Sequence, residues 1–274
     1  MPIAFHHKPG LIIYLTAGDP SIDATRDIAI AAIDAGADVI ELGVPFSDPL
    51  ADGPVIQRAM ERALAHGSAH GAVSLKDVLA LAREIRTARP AAGLVLFSYL
   101  NPILRYGMHK FADDAKAAGV DGVLATDMIV EEAAEYLAEM GRVGLAPIFL
   151  AAPTSPDDRL QAIAANSRGF VYSISRTGIT GTQQSVASDA AALVARIRRW
   201  TGPVGQGLPV AVGFGISNAE HVAQVAEFAD AAVIGSAIVE LVERTSAAAG
   251  PESAPHAVAR FIEGLRLPHA APAR

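Results

Sequence analysis

Residues 38–54 read D-V-I-E-L-G-V-P-F-S-D-P-L-A-D-G-P, a short apolar run holding one glutamate, followed by a loop of proline and aspartate. The run Asp38–Leu42 does not alternate apolar and polar positions, so both of its faces are expected to be buried, as in a parallel sheet covered by helices. Moving outward in both directions, similar runs recur at Leu11–Thr16, Gly93–Ser98, Gly122–Ala125, Val143–Leu150, Phe170–Ile174, Pro209–Gly213 and Ala231–Gly235. Helix-like stretches lie between them: Ile22–Ala35, Leu75–Thr87, Phe111–Ala118, Val130–Glu139, Asp157–Ala165, Ser188–Trp200 and Asn218–Glu227. Gly36, Gly119 and Gly141 are expected at helix stops. Eight strands alternating with helices predict an α/β fold, a (β/α)8 barrel in which residues 1–274 form one domain. An open doubly wound sheet competes, but the first turn, T-A-G-D-P at 16–20, lacks the G-x-G-x-x-G fingerprint of that fold.

About fifty residues separate the second strand from the third, too many for one simple crossover, so the second β–α loop is expected to be extended. In barrels the chemistry sits on such loops, at the carboxyl ends of the strands.

Composition narrows the class. Of the 274 residues 51% are apolar and only 5% aromatic, which suits stacked aliphatic layers. With no cysteine there is no disulfide and no thiolate chemistry. A net charge of -7 argues against nucleic-acid binding, which needs clustered cations. The longest apolar stretch, Val143 to Ala152, is half of the roughly 20 residues that span a bilayer, and the first ten residues do not make a convincing signal peptide. A soluble cytoplasmic protein that avoids membranes is expected. After a break at Gly250, a last helix is predicted over His256–Leu265, with a frayed tail beyond.

Glu41 is the single carboxyl of the run after its opening Asp38. An ionised carboxylate in a dry barrel is costly unless paired, and desolvation raises its pKa towards neutrality, as general acid–base work requires. A glutamate hydrogen-bonded to a neighbour, with no chemical role, fits the same pattern. Asp48 and Asp52 follow on the loop, and each has a structural reading: Asp48-Pro49 begins a turn, and Asp52 precedes Pro54, where the next helix is expected to start.

Two glycine turns end the last two strands, Gly213-Phe214-Gly215-Ile216-Ser217 and Gly235-Ser236, the second opening a helix at Ala237–Glu243. Barrels often hold phosphate there on bare backbone amides and a helix N-terminus. Neither turn contains Lys or Arg, so the grip would rest on amides and the Ser236 hydroxyl. Ordinary capping glycines are the alternative. The run Ser175 to Thr182, within a segment spanning 175–187, is rich in glycine and small polar residues and reads either as a lid or as a surface loop. Tyr172 just before it points into the barrel mouth or belongs to the core.

Seven pieces, in order, resemble the tryptophan synthase α-subunit family. They are Y-L-T-A-G-D-P at 14–20, E-L-G-V-P-F-S-D-P-L-A-D-G-P at 41–54, S-Y-L-N-P-I-L-R-Y-G at 98–107, A-P-T-S-P-D-D-R at 152–159, V-Y-S-I-S-R-T-G-I-T-G at 171–181, G-F-G-I-S at 213–217 and I-G-S-A at 234–237. The resemblance implies retro-aldol cleavage of indole-3-glycerol phosphate to indole and glyceraldehyde 3-phosphate, with no metal and no cofactor of the chain's own. It also implies a β-subunit partner in an α2β2 assembly, which carries pyridoxal phosphate (PLP) and receives the indole for tryptophan synthesis. By position, Glu41 matches the family's acid–base residue and Asp52 the carboxylate that accepts the indole N–H. Thr180 matches a lid threonine that orders the loop near Asp52, and Tyr172 a pocket tyrosine. Gly181, Gly215, Gly235 and Ser236 match phosphate-binding positions. One departure stands out: where the family reads P-D-L-P-x-E-E, this chain has T-D-M-I-V-E-E at 126–132, without either proline, so partner contacts at that turn are in doubt.

Three alternatives stay open at this stage. They are a phosphate-binding barrel isomerase, a free-standing indole-releasing lyase, and a catalytically silent scaffold barrel.

Overall fold

The computed structural model describes residues 3–67, 71–174, 183–213 and 215–266. The first half of the chain runs β1 (Gly10–Thr16), α1 (Ile22–Asp34), β2 (Val39–Gly43), α2 (Pro54–His66), α3 (Leu75–Ala88), β3 (Gly93–Ser98), α4 (Leu100–Tyr106), α5 (Met108–Ala117), β4 (Gly122–Ala125) and α6 (Ala134–Val143). The second half runs β5 (Ala146–Ile148), β6 (Leu150–Ala151), α7 (Asp157–Asn166), β7 (Val171–Ile174), α8 (Gln183–Thr201), β8 (Val210–Gly213), α9 (Ala219–Ala226), β9 (Ala231–Ile234), α10 (Ser236–Ala249) and α11 (Ala254–Leu265). Every pairing is parallel, in the order β5-β4-β3-β2-β1-β9-β8-β7-β6. The two ends of that row, β5 and β6, are separated in the chain by Phe149 alone, so they are halves of one interrupted stave and the sheet closes into the expected eight-stave barrel.

Parity along each strand sorts its side chains. Leu11, Ile13, Leu15, Ile40 and Leu42 pack outward, in the layer between barrel and helices. Ile12, Tyr14, Val39, Val95, Phe97, Leu124 and Val233 form the separate inner cluster. Successive strand residues face opposite sides, so Glu41, flanked by Ile40 and Leu42, turns inward with Val39. The apolar runs lacked alternation because both sides of each stave are covered.

Several boundaries differ from the sequence reading. The fifth run, read as one strand over Val143–Leu150, carries helix to Val143 and strand only at 146–148 and 150–151. Pro147 has no N–H to give a ladder, which shortens the stave. Gly141 does not stop α6; the left-handed residue that ends it is Gly144, at φ 69°. A glycine in right-handed helical geometry costs about 1 kcal/mol but terminates nothing, whereas the left-handed turn is the actual stop. The stretch Val130–Glu139 begins as an isolated 3-10 turn over Val130–Glu132 before α6. The long second connection holds two helices, α2 and α3, and α2 starts at Pro54 as expected. The third connection also holds two, because α4 precedes α5 across Gly107. Among the described residues no helix is long and apolar enough to cross a membrane.

Candidate active site

Register places Glu41 between Tyr14 on β1 and Val95 on β3. It is wholly buried, and neither carboxyl oxygen has a hydrogen-bond partner among the described residues. Burial pushes the carboxyl up from 4.5 to about 8, because the charged form has lost its water without gaining a donor. Glu41 therefore holds a proton at neutral pH. The bland reading, a glutamate tied to a neighbour, has no bond to support it.

Asp52 is not a helix cap. The cap of α2 is Gly53, and the Asp52 carboxylate points elsewhere: Oδ2 accepts the Tyr99 hydroxyl at 2.7 Å. Tyr99 Oη in turn accepts the Ala51 N–H at 3.0 Å, and Gln57 Nε2 donates to the Asp52 carbonyl at 2.9 Å, so both sides of the residue are fixed. Burial raises the Asp52 carboxyl to about 6, with the Tyr99 hydrogen bond pulling against it. Tyr99 lies in the string S-Y-L-N-P, yet the sequence gives it no role, because the contact spans 47 residues. Asp48 keeps its turn reading: it is exposed and accepts the Ser47 hydroxyl.

A cavity of about 220 Å³ opens at the carboxyl ends of the strands. Asp52, Tyr172, Gly215, Gly235 and Ser236 all line it, alongside Tyr14, Phe97 and Ile56. Five candidates far apart in sequence are thus brought together. Glu41 does not line the cavity, although its register partner Tyr14 does, as does Phe97. Thr180 and Gly181, with the rest of the proposed lid from Ser175 to Thr182, lie outside the described residues, as does Phe214.

Tyr172 is a cavity residue rather than a core one. Its phenol is pushed well above the ordinary tyrosine range by burial first, and then by the carboxylates of Glu41 and Asp52. Room for the ring comes from Gly213 on the next strand, where a Cβ would stand 2.9 Å from the Tyr172 oxygen.

The opposite wall has the features of an anion cradle. Gly215 turns at φ 75°, a left-handed conformation that suits glycine alone. Gly235 caps α10 and Ser236 is its first residue, so first-turn amides with no partner inside the helix face the cavity. No lysine or arginine is among the described residues lining it. Arg62 on α2 holds the two walls in register: its Nε and Nη2 reach Asp19 at 2.8 Å each, and Nη1 reaches Glu243 on α10 at 2.6 Å.

The proline-free turn at 126–132 has its own fastening. Asp127 Oδ1 accepts the N–H of Leu100, the first residue of α4, at 2.7 Å, and Glu131 pairs with Arg159. Ile129 is left 44% exposed at its tip.

With this geometry in place, similarity to known proteins is informative. A family model described as "Tryptophan synthase alpha chain" matches residues 3–266. The tryptophan synthase alpha chain of Solibacter usitatus is 50% identical over 246 residues, covering 90% of this chain and 88% of that one. That of Geobacter sulfurreducens is 47% identical over 260 residues, covering 94% and 92%. Among solved structures, tryptophan synthase subunit alpha from Legionella pneumophila superposes with a TM-score of 0.83 at 35% identity, covering 94% and 91% of the two chains. The aminoacrylate-bound tryptophan synthase of M. tuberculosis superposes at 0.80 with 36% identity, covering 94% of each.

Proposed function

The chain belongs to the tryptophan synthase alpha chain family and cleaves indole-3-glycerol phosphate to indole and glyceraldehyde 3-phosphate, and we propose the following division of labour among its residues. Glu41 carries the proton. It starts protonated, gives its proton to the indole carbon that is leaving, and as carboxylate takes one from the adjacent glycerol hydroxyl. The carbon–carbon bond breaks between those transfers, the hydroxyl carbon becomes the aldehyde, and Glu41 ends as it began. Because the carboxyl does not line the cavity, it acts by turning past Tyr14 into the opening.

Asp52, ionised and fixed by Tyr99, accepts the indole N–H and balances positive charge developing on the ring. Tyr172 and Phe97 flank the ring. The phosphate sits on the amides of Gly215, Gly235 and Ser236 and on the Ser236 hydroxyl. Following the family pattern, Gly181 adds to that grip, and Thr180 closes over Asp52. The side chains of this one catalytic domain suffice for the step, so no cofactor of its own is assigned. An alpha chain has a β-subunit partner; we assign this one an α2β2 assembly in the cytoplasm, the β-subunit carrying the PLP and receiving the indole.

One observation carries this reading: a donor-free carboxyl that stays protonated at neutral pH lies against a cavity with an ionisable aspartate on one wall and a phosphate-type turn on the other. Indole release by the purified chain, with and without a β-subunit, tests it. Weak activity that a β-subunit raises supports the assignment, and high activity of the chain alone favours a free-standing lyase. Near-normal turnover by Glu41→Gln would sink the proton-carrying role.

A further inference from the structure

Two buried groups at the barrel mouth have complementary needs and sit on neighbouring strands. Glu41 offers two acceptor oxygens that receive no hydrogen bond among the described residues. Tyr14, 2% exposed, meets only the Thr16 hydroxyl, at a long 3.3 Å, and its O–H finds no other acceptor among those residues. The two are direct partners in the β1–β2 register and face the same side of the sheet. Buried polar groups are rarely left unsatisfied, and where they are, an explanation is needed.

The position of the phenol supplies one. A Cβ on Gly43 would stand 2.2 Å from Tyr14 Oη, so the hydroxyl occupies the space above a glycine of β2 itself. Gly43 is two residues beyond Glu41 on the same face, about 7 Å further along the strand towards the cavity. The ring is held there edge-on by Phe97, with centroids 5.1 Å apart and an interplanar angle of 78°. A donor is therefore fixed between the resting place of the Glu41 carboxyl and the cavity that Tyr14 lines.

We propose that Tyr14 is a positioning residue for Glu41: when the carboxyl turns into the cavity, the Tyr14 O–H donates to it and fixes the oxygen that exchanges the proton with substrate. This rests on the proton-carrying role given to Glu41 above. Tyr14 keeps its own proton throughout. Its hydrogen bond strengthens as Glu41 passes its proton to the indole carbon and becomes a carboxylate, and weakens once Glu41 regains a proton from the glycerol hydroxyl. The other titratable groups sharing this space are Asp52 from the loop, Tyr99 beyond β3 and Tyr172 from β7, while β3 itself presents the apolar Val95.

Tyr14→Phe removes the hydroxyl and keeps the ring against Phe97. In the β-subunit complex, kcat should fall about tenfold, the size of one hydrogen bond made to a developing charge. KM should stay within about twofold, because the bond is made to Glu41 and not to substrate. The alkaline limb of kcat should move up by about one pH unit, since the Glu41 carboxylate loses its donor. With indole and inorganic phosphate bound, so that the carboxyl is turned into the cavity, the infrared band of the protonated carboxyl, identified by its absence in Glu41→Gln, should likewise titrate at higher pH in Tyr14→Phe, a reading independent of turnover. A Tyr14→Phe enzyme with unchanged kcat, or with a slowed kcat and unmoved limb and carboxyl band, overturns the inference. If Glu41→Gln itself turns over normally, the failure belongs to the role of Glu41.

Discussion

The two ends of the barrel use buried carboxylates in opposite ways. At the amino ends of the strands, Asp38, Asp121 and Asp230 each cap the neighbouring stave. Asp38 accepts the Leu11 and His6 amides at 2.9 and 2.8 Å, Asp121 the Leu94 amide at 2.9 Å, and Asp230 the Val210 and Gly205 amides at 2.7 and 2.8 Å. Arg86 and Arg198, from the helices outside, add ion pairs to Asp121 and Asp230. At the carboxyl ends, among the described residues, Glu41 has no donor and Asp52 has the single Tyr99 hydroxyl on its carboxylate. One end satisfies its carboxylates and stiffens the sheet; the other leaves them short of donors, and their proton affinity rises. Burial alone does not mark a functional acid. Burial without donors does.

The largest effect that tests this contrast is expected from Glu41→Gln. Indole formation should drop at least about 10³-fold with substrate binding retained, because the amide keeps the shape and cannot carry the proton. Its stability should move the other way. A carboxyl whose pKa is raised on folding contributes stability that is full below the unfolded value near 4.5 and is lost as pH rises through about 8. The parent therefore loses stability over that window and Glu41→Gln does not, so the variant's advantage in urea melts should grow from pH 4.5 to pH 8. An advantage that shrank over that range would contradict the donor-free assignment.

Asp230→Ala probes the other end. It removes the partner of Arg198 and of two backbone amides, and should cost about 1–3 kcal/mol in urea unfolding, because the pair is only partly buried and water can reach the groups left behind. Turnover per folded molecule should stay at the parent level. Loss of turnover without loss of stability would erase the distinction between the two ends.

The stave pattern was readable in the sequence because both faces of each strand are covered, which leaves unbroken apolar runs; Gly93–Ser98 and Gly122–Ala125 agree residue for residue. The interruption at Phe149 was not readable, since it depends on how Pro147 meets its neighbours. Helix α4 was missed because Pro102 and Gly107 within and after it look like loop punctuation. In the candidate site, Glu41 stood out as a lone carboxyl in a strand. Asp52 did not separate from Asp48 on composition, because what distinguishes them is a phenol 47 residues away, and no local pattern encodes that contact. Tyr14 carries no signal of its own in the sequence, and only the register sets it beside Glu41.

The pH profile of kcat/KM, which reports the free enzyme, follows from the same two carboxyls. Glu41 must be protonated, so the rate falls above about 8, and Asp52 must be ionised, so it falls below about 6. A bell with limbs near those values is expected, each limb approaching tenfold per pH unit. A flat profile between pH 5 and pH 9 would remove both groups from the mechanism.

Tyr99→Phe should give the smallest change, and it separates pairing from burial within the active end itself. Tyr99 stabilises the ionised Asp52, opposing the desolvation that raises its pKa. Without the hydroxyl the acid limb should move above about 6, by roughly half to one pH unit, the range of one hydrogen bond to a charged group. At pH 8 the variant should then lose almost nothing in kcat/KM by this route, since more than about nine-tenths of Asp52 is still ionised there, whereas at pH 6 the loss should be about two- to fivefold. The phenol also receives the Ala51 amide, so loop order could slow the enzyme for a different reason. Such a loss would be the same at both pH values. The ratio of the two losses therefore measures how much of Asp52's working charge depends on its one donor, at the end of the barrel where donors are scarce.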